Sequence, residues 1–524
     1  MLRRLKENGL SINKPIKHCI NYVVMDIISI NYLRIIENFA VFTLAYNQKM
    51  NYNVRIIKEL ANSICAHNQE VLMVLKRKIY KRLLEWKNES QGKKALMVEG
   101  ARRIGKSTIC EVFGKNEYES YILIDFAKGD KEIERYFERH LNDLDTFFML
   151  LQTHFGKKLI ERKSLIIFDE VQVFPQARAA IKYLVADGRY DYIETGSLIS
   201  IKENVKNIVI PSEERHINMY PLDFEEFAIA LGEELLIEYI KKCFEKREPL
   251  ERSMHNQAML LFHQYMLVGG MPMPVVAFIE NKKDFTEADK EKRDILRLYR
   301  EDIMKINVRY RSKVLSIYDQ IPGFLSQHEK RVVFKQLQEG SYAEQYEETF
   351  FWLSDSMISN ECFLCNDPNV GLSLNETRSY VKCYMGDTGL LVSHAFDENE
   401  LLEDEVYKQI LAGKLQINEG MIYENVIAQM LVANGHKLYF YTHYNEDKHR
   451  NDMEIDFIIS NNSKLKYKMF PIEVKSGKQY KTTSLNNFRE KYKERIGESY
   501  IIHPRNLIIK DGIICIPPYM TMML

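Results

Sequence analysis

No excess charge of either sign runs through this chain: Lys and Arg together number 73, and Asp and Glu number 73, in 524 residues. That balance excludes a globally basic nucleic-acid binder, so any anionic partner must be met by a local patch. Cysteine is sparse and scattered, with eight residues at 19, 65, 110, 243, 362, 365, 383 and 515. This excludes a disulfide framework and suits the reduced thiols of a cytoplasmic protein. Cys362 and Cys365 form the one close pair and Cys383 has no second C-x-x-C beside it, which favours buried thiols over a zinc site. A run fit to cross a bilayer is missing too. The most apolar early stretch, Ile20–Tyr46, is interrupted by Asp26, Arg34, Glu37 and Asn38, and no small-residue cleavage site follows it. No membrane partner is expected.

What is present is organised around Ala95–Thr108, A-L-M-V-E-G-A-R-R-I-G-K-S-T. A short apolar run stops at Gly100, Ala101, Arg102, Arg103 and Ile104 follow, and then come Gly105, Lys106, Ser107 and Thr108. This is G-x-x-x-x-G-K-[ST] between an expected strand and an expected helix, the phosphate-binding loop pattern. The glycines let successive backbone N–H groups turn toward phosphate oxygens, and the helix adds its positive end. Lys106 is expected to reach the β- and γ-phosphates of ATP, and the Ser107 hydroxyl to ligate Mg²⁺. Tyr121–Phe126 reads as a second buried strand. Ser164–Gln172, S-L-I-I-F-D-E-V-Q, reads as a third, placing Asp169 at its end to hold Mg²⁺ and Glu170 to polarise the attacking water. Tyr192–Thr195 runs into Thr195-Gly196-Ser197, with Ser197 or Thr195 the candidate to sense the γ-phosphate, against a plain glycine turn. Strands alternating with helices imply a parallel sheet with the ligand at the strand C-termini.

These motifs, followed by M-Y-P-L-D-F-E-E-F (Met219–Phe227), Y-M-L-V-G-G-M-P (Tyr265–Pro272), Y-R-E-D-I (Tyr299–Ile303) and G-D-T-G-L-L (Gly386–Leu391), are similar to a known set. From Met73 to the C-terminus the chain resembles the prokaryotic AAA-type ATPases with a C-terminal restriction-endonuclease-like domain. The resemblance implies that Arg215, ahead of the Y-P-L segment, meets nucleotide phosphate; Glu214 stands where that family more usually has Gly. Segments Val314–Gln327, Arg331–Leu337 and Tyr342–Ser359, with the apolar runs Glu361–Leu364 and Tyr380–Met385, resemble a winged helix. Ser341–Ser359 carries Glu344, Glu347, Glu348 and Asp355 and no Lys or Arg, which suits a scaffold or protein contact rather than a reader of base edges.

A second constellation lies near the C-terminus. Asn418–Val432 reads as a helix bearing Glu424, Met453–Ser460 as a strand holding Asp456, and Phe470–Lys475 as a strand holding Glu473 and Lys475. Residues two apart on a strand share a face, so Glu473 and Lys475 are expected together. Converging with Glu424 and Asp456, they fill the PD-(D/E)xK pattern, with Asp456 and Glu473 the candidate metal ligands and all four the candidate catalytic groups. An ordinary sheet face with ion pairs is the competing reading. Between Glu473 and Arg495 the cations Lys475, Lys478, Lys481, Arg489, Lys491, Lys493 and Arg495 outnumber Glu473, Glu490 and Glu494. That excess suits DNA or RNA, and a solvated helix face equally well.

The expected fold class is α/β. A P-loop parallel sheet spans 73–235, a helical, winged-helix-like region 236–400 and a small restriction-endonuclease-like domain 401–524. Residues 1–72 stand outside the resemblance and are expected to be a dispensable extension, or to precede the true start at Met73. Two functions fit: an ATPase controlling a nuclease-like domain on DNA or RNA, or an ATP-dependent switch that binds a protein partner with its C-terminal domain catalytically silent. A defence nuclease whose assembly ATP gates is a third. The oligomeric state is not legible.

Overall fold

The computed structural model describes residues 75–196, 212–337, 340, 342–369, 371–397, 401–411, 419–445, 449–460, 468–477 and 479–524. The expectation for residues 1–72 lies outside them. Five parallel strands form the first sheet: β1 (Ala95–Glu99), β2 (Ser120–Asp125), β3 (Ser164–Asp169), β4 (Asp191–Gly196) and β5 (Glu214–Asn218), in the order β2-β3-β4-β1-β5. Helices cover both faces, which is why β1 and β3 are buried throughout instead of alternating. Successive residues feed opposite layers. Leu96, Val98, Leu165 and Ile167 pack with Leu83, Trp86 and Phe113 of helices Ile79–Ser90 and Lys106–Glu117. Ala95, Met97, Ile166 and Phe168 pack with Phe137, Phe147 and Ile181 of helices Lys131–His140, Leu144–Phe155 and Pro175–Asp187.

The Y-P-L-D-F-E-E-F segment is explained by a capping box. The Asp223 carboxylate accepts from Glu226 N at 2.9 Å, and Glu226 accepts from Asp223 N at 3.2 Å, starting the helix Phe224–Ala230. Long helices follow, including Arg252–Val268, Phe285–Lys305 and Val308–Ser326. In the stretch expected to resemble a winged helix, the chain forms helices Val308–Ser326, Phe334–Leu337 and Glu347–Asp355. Strands β6 (Ser359–Cys365) and β7 (Glu376–Met385) come next.

Those two strands do not stand alone. β6 pairs antiparallel with β7 on one edge and parallel with β8 (Leu438–Asn445) on the other. The sheet continues through β9 (Arg450–Ser460), β10 (Met469–Val474), β11 (Tyr500–Ile502), β12 (Ile508–Lys510) and β13 (Ile513–Ile516), in the order β12-β13-β11-β10-β9-β8-β6-β7. One eight-stranded sheet thus joins residues from both sides of position 400. Its inner face shares a continuous apolar core with the first sheet, from Leu96 and Val98 through Phe262 and Tyr265 to Ile472 and Ile502.

The close approach of helices Arg252–Val268 and Thr388–Ala395 within that core depends on Gly389. A Cβ there would stand 2.2 Å from Val268 O and 2.6 Å from Gly269 N, both main-chain atoms that no rotamer can move aside. Gly389→Ala is expected to lower stability by about 3 kcal/mol. Guanidinium unfolding measures this, and an unchanged midpoint would contradict the close packing.

Candidate functional site

Gly105 adopts φ +88°, ψ 27° and caps the helix Lys106–Glu117, a left-handed conformation that favours glycine. Gly100 has no room for a side chain, since a Cβ would meet Met219 O at 2.5 Å. Between them Ala101 and Ile104 are buried anchors, whereas Arg102 and Arg103 point outward, as does Thr108 beyond. Arg102 pairs with Asp302 at 2.8 Å, tying the loop's outer side to helix Phe285–Lys305. The Arg77 guanidinium donates to Ile104 O at 3.0 Å and to Tyr220 O at 2.5 Å, clamping the loop to the segment after β5.

The Lys106 ammonium is buried and donates to Gly100 O at 3.1 Å and Ala101 O at 2.9 Å, across the mouth of its own loop. Burial pulls its pKa below the ordinary lysine value, against the pull of Glu170 and Asp169. An anion in the loop would supply the charge that this site withholds. Ser107 Oγ donates to Asp169 Oδ1 at 2.7 Å, and Thr195 Oγ1 donates to the same oxygen. A hydroxyl and a carboxylate held this way fit the oxygen ligands of Mg²⁺. Glu170, at φ +52°, lies beside them; its N–H donates to Thr195 Oγ1 at 3.3 Å, and its carboxylate accepts from Gln172 Nε2. The structure therefore gathers Lys106, Ser107, Asp169, Glu170 and Thr195. Ser197 lies outside the described residues.

Arg215 is not brought there. It sits opposite Leu96 in the β1–β5 register, three residues before Glu99, and pairs at the surface with Glu89. The expectation of a phosphate contact fails within this chain because β5 begins at Glu214, leaving its arginine at the sheet end remote from the loop. Its neighbour His216 is the residue that sequence reading passed over. Nδ1 lies 3.0 Å from Glu99 Oε1 and Nε2 lies 3.4 Å from Glu214 Oε2, and these bonds raise the imidazole pKa to about 9. Glu99 immediately precedes Gly100, so this pair fastens β5 to the root of the loop.

In the C-terminal lobe Glu424, Asp456, Glu473 and Lys475 do come near one another, in company that the sequence did not announce. Asp456 sits at a bulge, where three steps along β9 (Ile458 to Ile455) match two along β8 (Tyr439 to Tyr441). Its Oδ2 accepts from Val474 N at 2.8 Å. Glu473 pairs with Lys475 at 3.1 Å. Glu424 accepts from Tyr384 OH at 3.0 Å and pairs with Lys330. Lys382 of β7, fully buried, reaches in with Nζ 3.9 Å from Glu424 and 4.0 Å from Asp456. Burial opposes the Lys382 charge, but Glu424, Asp456 and Glu454 outweigh it and raise its pKa. Burial raises the Glu473 carboxyl to about 7, with Lys475 opposing and Asp456 adding. Lys330, Glu424, Lys475 and Tyr480 line an open pocket here.

The donor set does not fit a divalent ion. Among the described residues no three His, Cys, Asp or Glu side chains are placed to hold one. Asp456, expected as a metal ligand, faces the Val474 N–H and Lys382, and Glu473, expected as another, pairs through Oε2 with Lys475 while its Oε1 is buried without a partner. The thiols of Cys362, Cys365 and Cys383 are buried, and burial pushes all three up.

Lys106→Ala is expected to abolish ATP binding, because it removes the buried ammonium that lies across the mouth of the loop. Glu170→Gln is expected to keep ATP affinity and reduce turnover by two or more orders of magnitude, read by calorimetry and phosphate release. Normal turnover would remove Glu170 as the residue that orients water. Glu473 gives a pH signature. Its folded pKa of about 7 lies above its ordinary 4.5, so the folded state binds the extra proton between those values. Stability from this group is full below pH 4.5 and is lost as pH rises through 7. Glu473→Gln is expected to flatten that decline in urea midpoints, and an identical pH profile would contradict the burial of this carboxyl.

Residues 92–228 match the family model described as an AAA domain. Residues 259–400 and 419–519 match two domains of unknown function, DUF8612 and DUF4143. A search of curated proteins gave no match. Among solved structures, a Walker-type ATPase of Pyrococcus abyssi is 16% identical at a TM-score of 0.37, covering 61% of this chain and 96% of that one. The Cdc6p protein of Pyrobaculum aerophilum is 11% identical at 0.24, covering 65% and 97%. The Orc1 protein of Aeropyrum pernix, in complex with DNA, is 10% identical at 0.25, covering 61% and 91%. No helix among the described residues is long and apolar enough to cross a membrane. The parallel sheet, the phosphate loop and the family match agree: the chain carries an AAA-type P-loop ATPase domain.

Proposed function

We propose that the chain hydrolyses ATP and uses the nucleotide state of the loop to set the arrangement of its C-terminal lobe, as a switch read by a protein partner. On this reading Lys106 leaves the carbonyls of Gly100 and Ala101 for the β- and γ-phosphates. The loop N–H groups and the start of helix Lys106–Glu117 take up the remaining phosphate charge. Ser107 and Asp169 would hold Mg²⁺, which when bound neutralises the oxygens of the transferring group. Glu170 orients the attacking water, and Thr195 fixes Asp169 beneath it.

One observation carries the switch reading: a chain of buried hydrogen bonds from the loop to the C-terminal helix Glu419–Ala433. Met219 N donates to Glu99 O at 2.7 Å, at the root of the loop. Three residues on, Leu222 N donates to Gly270 O at 2.7 Å, and Tyr265 OH donates to Leu222 O at 2.8 Å. Gly270 N donates to Asp387 Oδ2 at 2.6 Å. Gln429 closes the relay, its Nε2 donating to Tyr265 OH at 3.1 Å and to Asp387 Oδ2 at 3.2 Å while its Oε1 accepts from Thr388 N at 2.8 Å. Glu424 lies on the same helix. Buried polar networks of this kind tie their members to one arrangement, since any lost bond leaves an unpaired group in the core.

A protein partner is favoured over DNA or RNA by where the basic segment spends its charge. Lys475 pairs with Glu473, Arg489 donates to Asp511 O at 3.0 Å, Lys491 to Tyr441 OH at 3.0 Å, and Arg495 pairs with Asp367 at 2.7 Å. Lys478 lies outside the described residues. Lys475 and Arg495 are thus paired with carboxylates of the lobe itself, and Arg489 and Lys491, still charged, are held against neutral acceptors, so the lobe offers a phosphate backbone fewer unpaired cations than its composition suggests.

The test is amide hydrogen exchange across Glu419–Ala433 in the Glu170→Gln protein. Saturating ATP is expected to slow exchange there, and Gln429→Leu is expected to remove that effect while ATP still binds. Exchange in this helix that ignores ATP would overturn the switch reading.

A further inference from the structure

The C-terminal pocket holds acids at the positions where the resemblance implies a divalent ion, yet all four oxygens of Glu424 and Asp456 already face a partner, and only Glu473 Oε1 is buried without one. Glu424 Oε1 is paired with Lys330. Glu424 Oε2 accepts from Tyr384 OH at 3.0 Å and faces Lys382 Nζ at 3.9 Å. Asp456 Oδ2 accepts from Val474 N at 2.8 Å, and Asp456 Oδ1 faces Lys382 Nζ at 4.0 Å. Glu473 Oε2 is taken by Lys475 at 3.1 Å. A Mg²⁺ ion needs several oxygens at about 2.0–2.1 Å in octahedral array. To place one between Glu424 and Asp456, the Lys382 ammonium would have to leave a position in which it is 1% exposed. Its route out is restricted: Lys382 lies within β7, paired with Cys362 of β6, and its Nζ stands over the Phe440 ring at 5.1 Å.

We propose that the Lys382 ammonium is the resident counter-cation of this pocket, occupying the charge centre between Glu424 and Asp456 so that the lobe takes no divalent ion. This inference concerns the same lobe as the switch reading but does not depend on nucleotide coupling. A buried carboxylate pair is tolerated only with compensating charge. Here that charge is supplied covalently by a strand of the same sheet rather than by a dissociable metal. The pocket is therefore assembled at any metal concentration, which suits a binding module whose surface must be constant.

The test uses full-length, nucleotide-free protein dialysed against EDTA, with Mn²⁺ as the probe read by electron paramagnetic resonance. The wild-type and Asp456→Asn proteins are expected to give the same Mn²⁺ isotherm, and Lys382→Met to gain one site per chain that Lys382→Met/Asp456→Asn lacks. A wild-type site that Asp456→Asn removes would overturn the proposal, as would a folded Lys382→Met protein that gains none. A thermal-unfolding cycle in EDTA gives a second reading that needs no metal. Lys382→Met and Asp456→Asn are each expected to lower the Tm, and the double variant to recover much of the summed loss, because each single change strands the other's buried charge. Additive losses would contradict the pairing. If Lys382→Met does not fold, the comparison of wild type with Asp456→Asn decides alone.

Discussion

The contact on which the rest of this molecule depends is the seating of Gly100 against the main-chain carbonyl of Met219. The two come so close that a single methyl group would not fit. Arg77 reinforces the contact from outside, one guanidinium holding a carbonyl of the loop and a carbonyl of the segment beyond β5. Main-chain atoms are the stiffest partners available, so a loop seated on them cannot rearrange around phosphate without pressing on what lies behind. What lies behind is Leu222, Gly270 and Tyr265, and through them Asp387 and Gln429. The apolar core that surrounds this path is continuous between the two sheets, so displacement in one half has no soft layer in which to dissipate.

Charge is managed differently at the two ends of that path. At the loop the compensation is incomplete by construction: Lys106 is buried against carbonyls that carry only partial charge, and its pKa is held down by that burial. Such a site gains by taking an anion. In the C-terminal pocket Glu424, Asp456 and Glu473 meet Lys330, Lys382 and Lys475, and the ammonium groups are retained on the chain. One site is poised to bind and the other is closed electrostatically, a contrast that suits a sensor and its output rather than two independent catalysts.

Much of the first site was legible because its requirements are local. Glycine at positions 100 and 105 follows from a close approach and a left-handed turn, and Asp169 and Glu170 follow from an apolar strand that must end facing the loop. Local pattern failed where the answer depended on the sheet as a whole. Arg215 looked well placed by its distance from Y-P-L, but the β1–β5 register puts it beside Leu96 and out of reach. The acids of the C-terminal pocket were readable from the apolar segments that carry them, and Asp456 and Glu473 do lie on the expected strands. Lys382 was not, because it enters from β7, and nothing in the local sequence says that β6 pairs with β8 to merge the two regions into one sheet. The relay was hidden for the same reason: Tyr265, Asp387 and Gln429 lie far apart in the chain and meet only through tertiary packing.

On the switch reading the nucleotide loop and the C-terminal lobe are one cooperative unit. The chain's two tryptophans report on it separately, Trp86 beneath the ATPase sheet and Trp352 on the helix leading into β6. Guanidinium unfolding followed by each in turn, in Trp352→Phe and Trp86→Phe proteins, tests the claim directly. Coincident transitions are expected, both shifted to higher denaturant by ATP, by about 2.7 kcal/mol when ATP is at 100 times its Kd. A shift of the Trp86 transition that leaves the Trp352 transition where it was would contradict it.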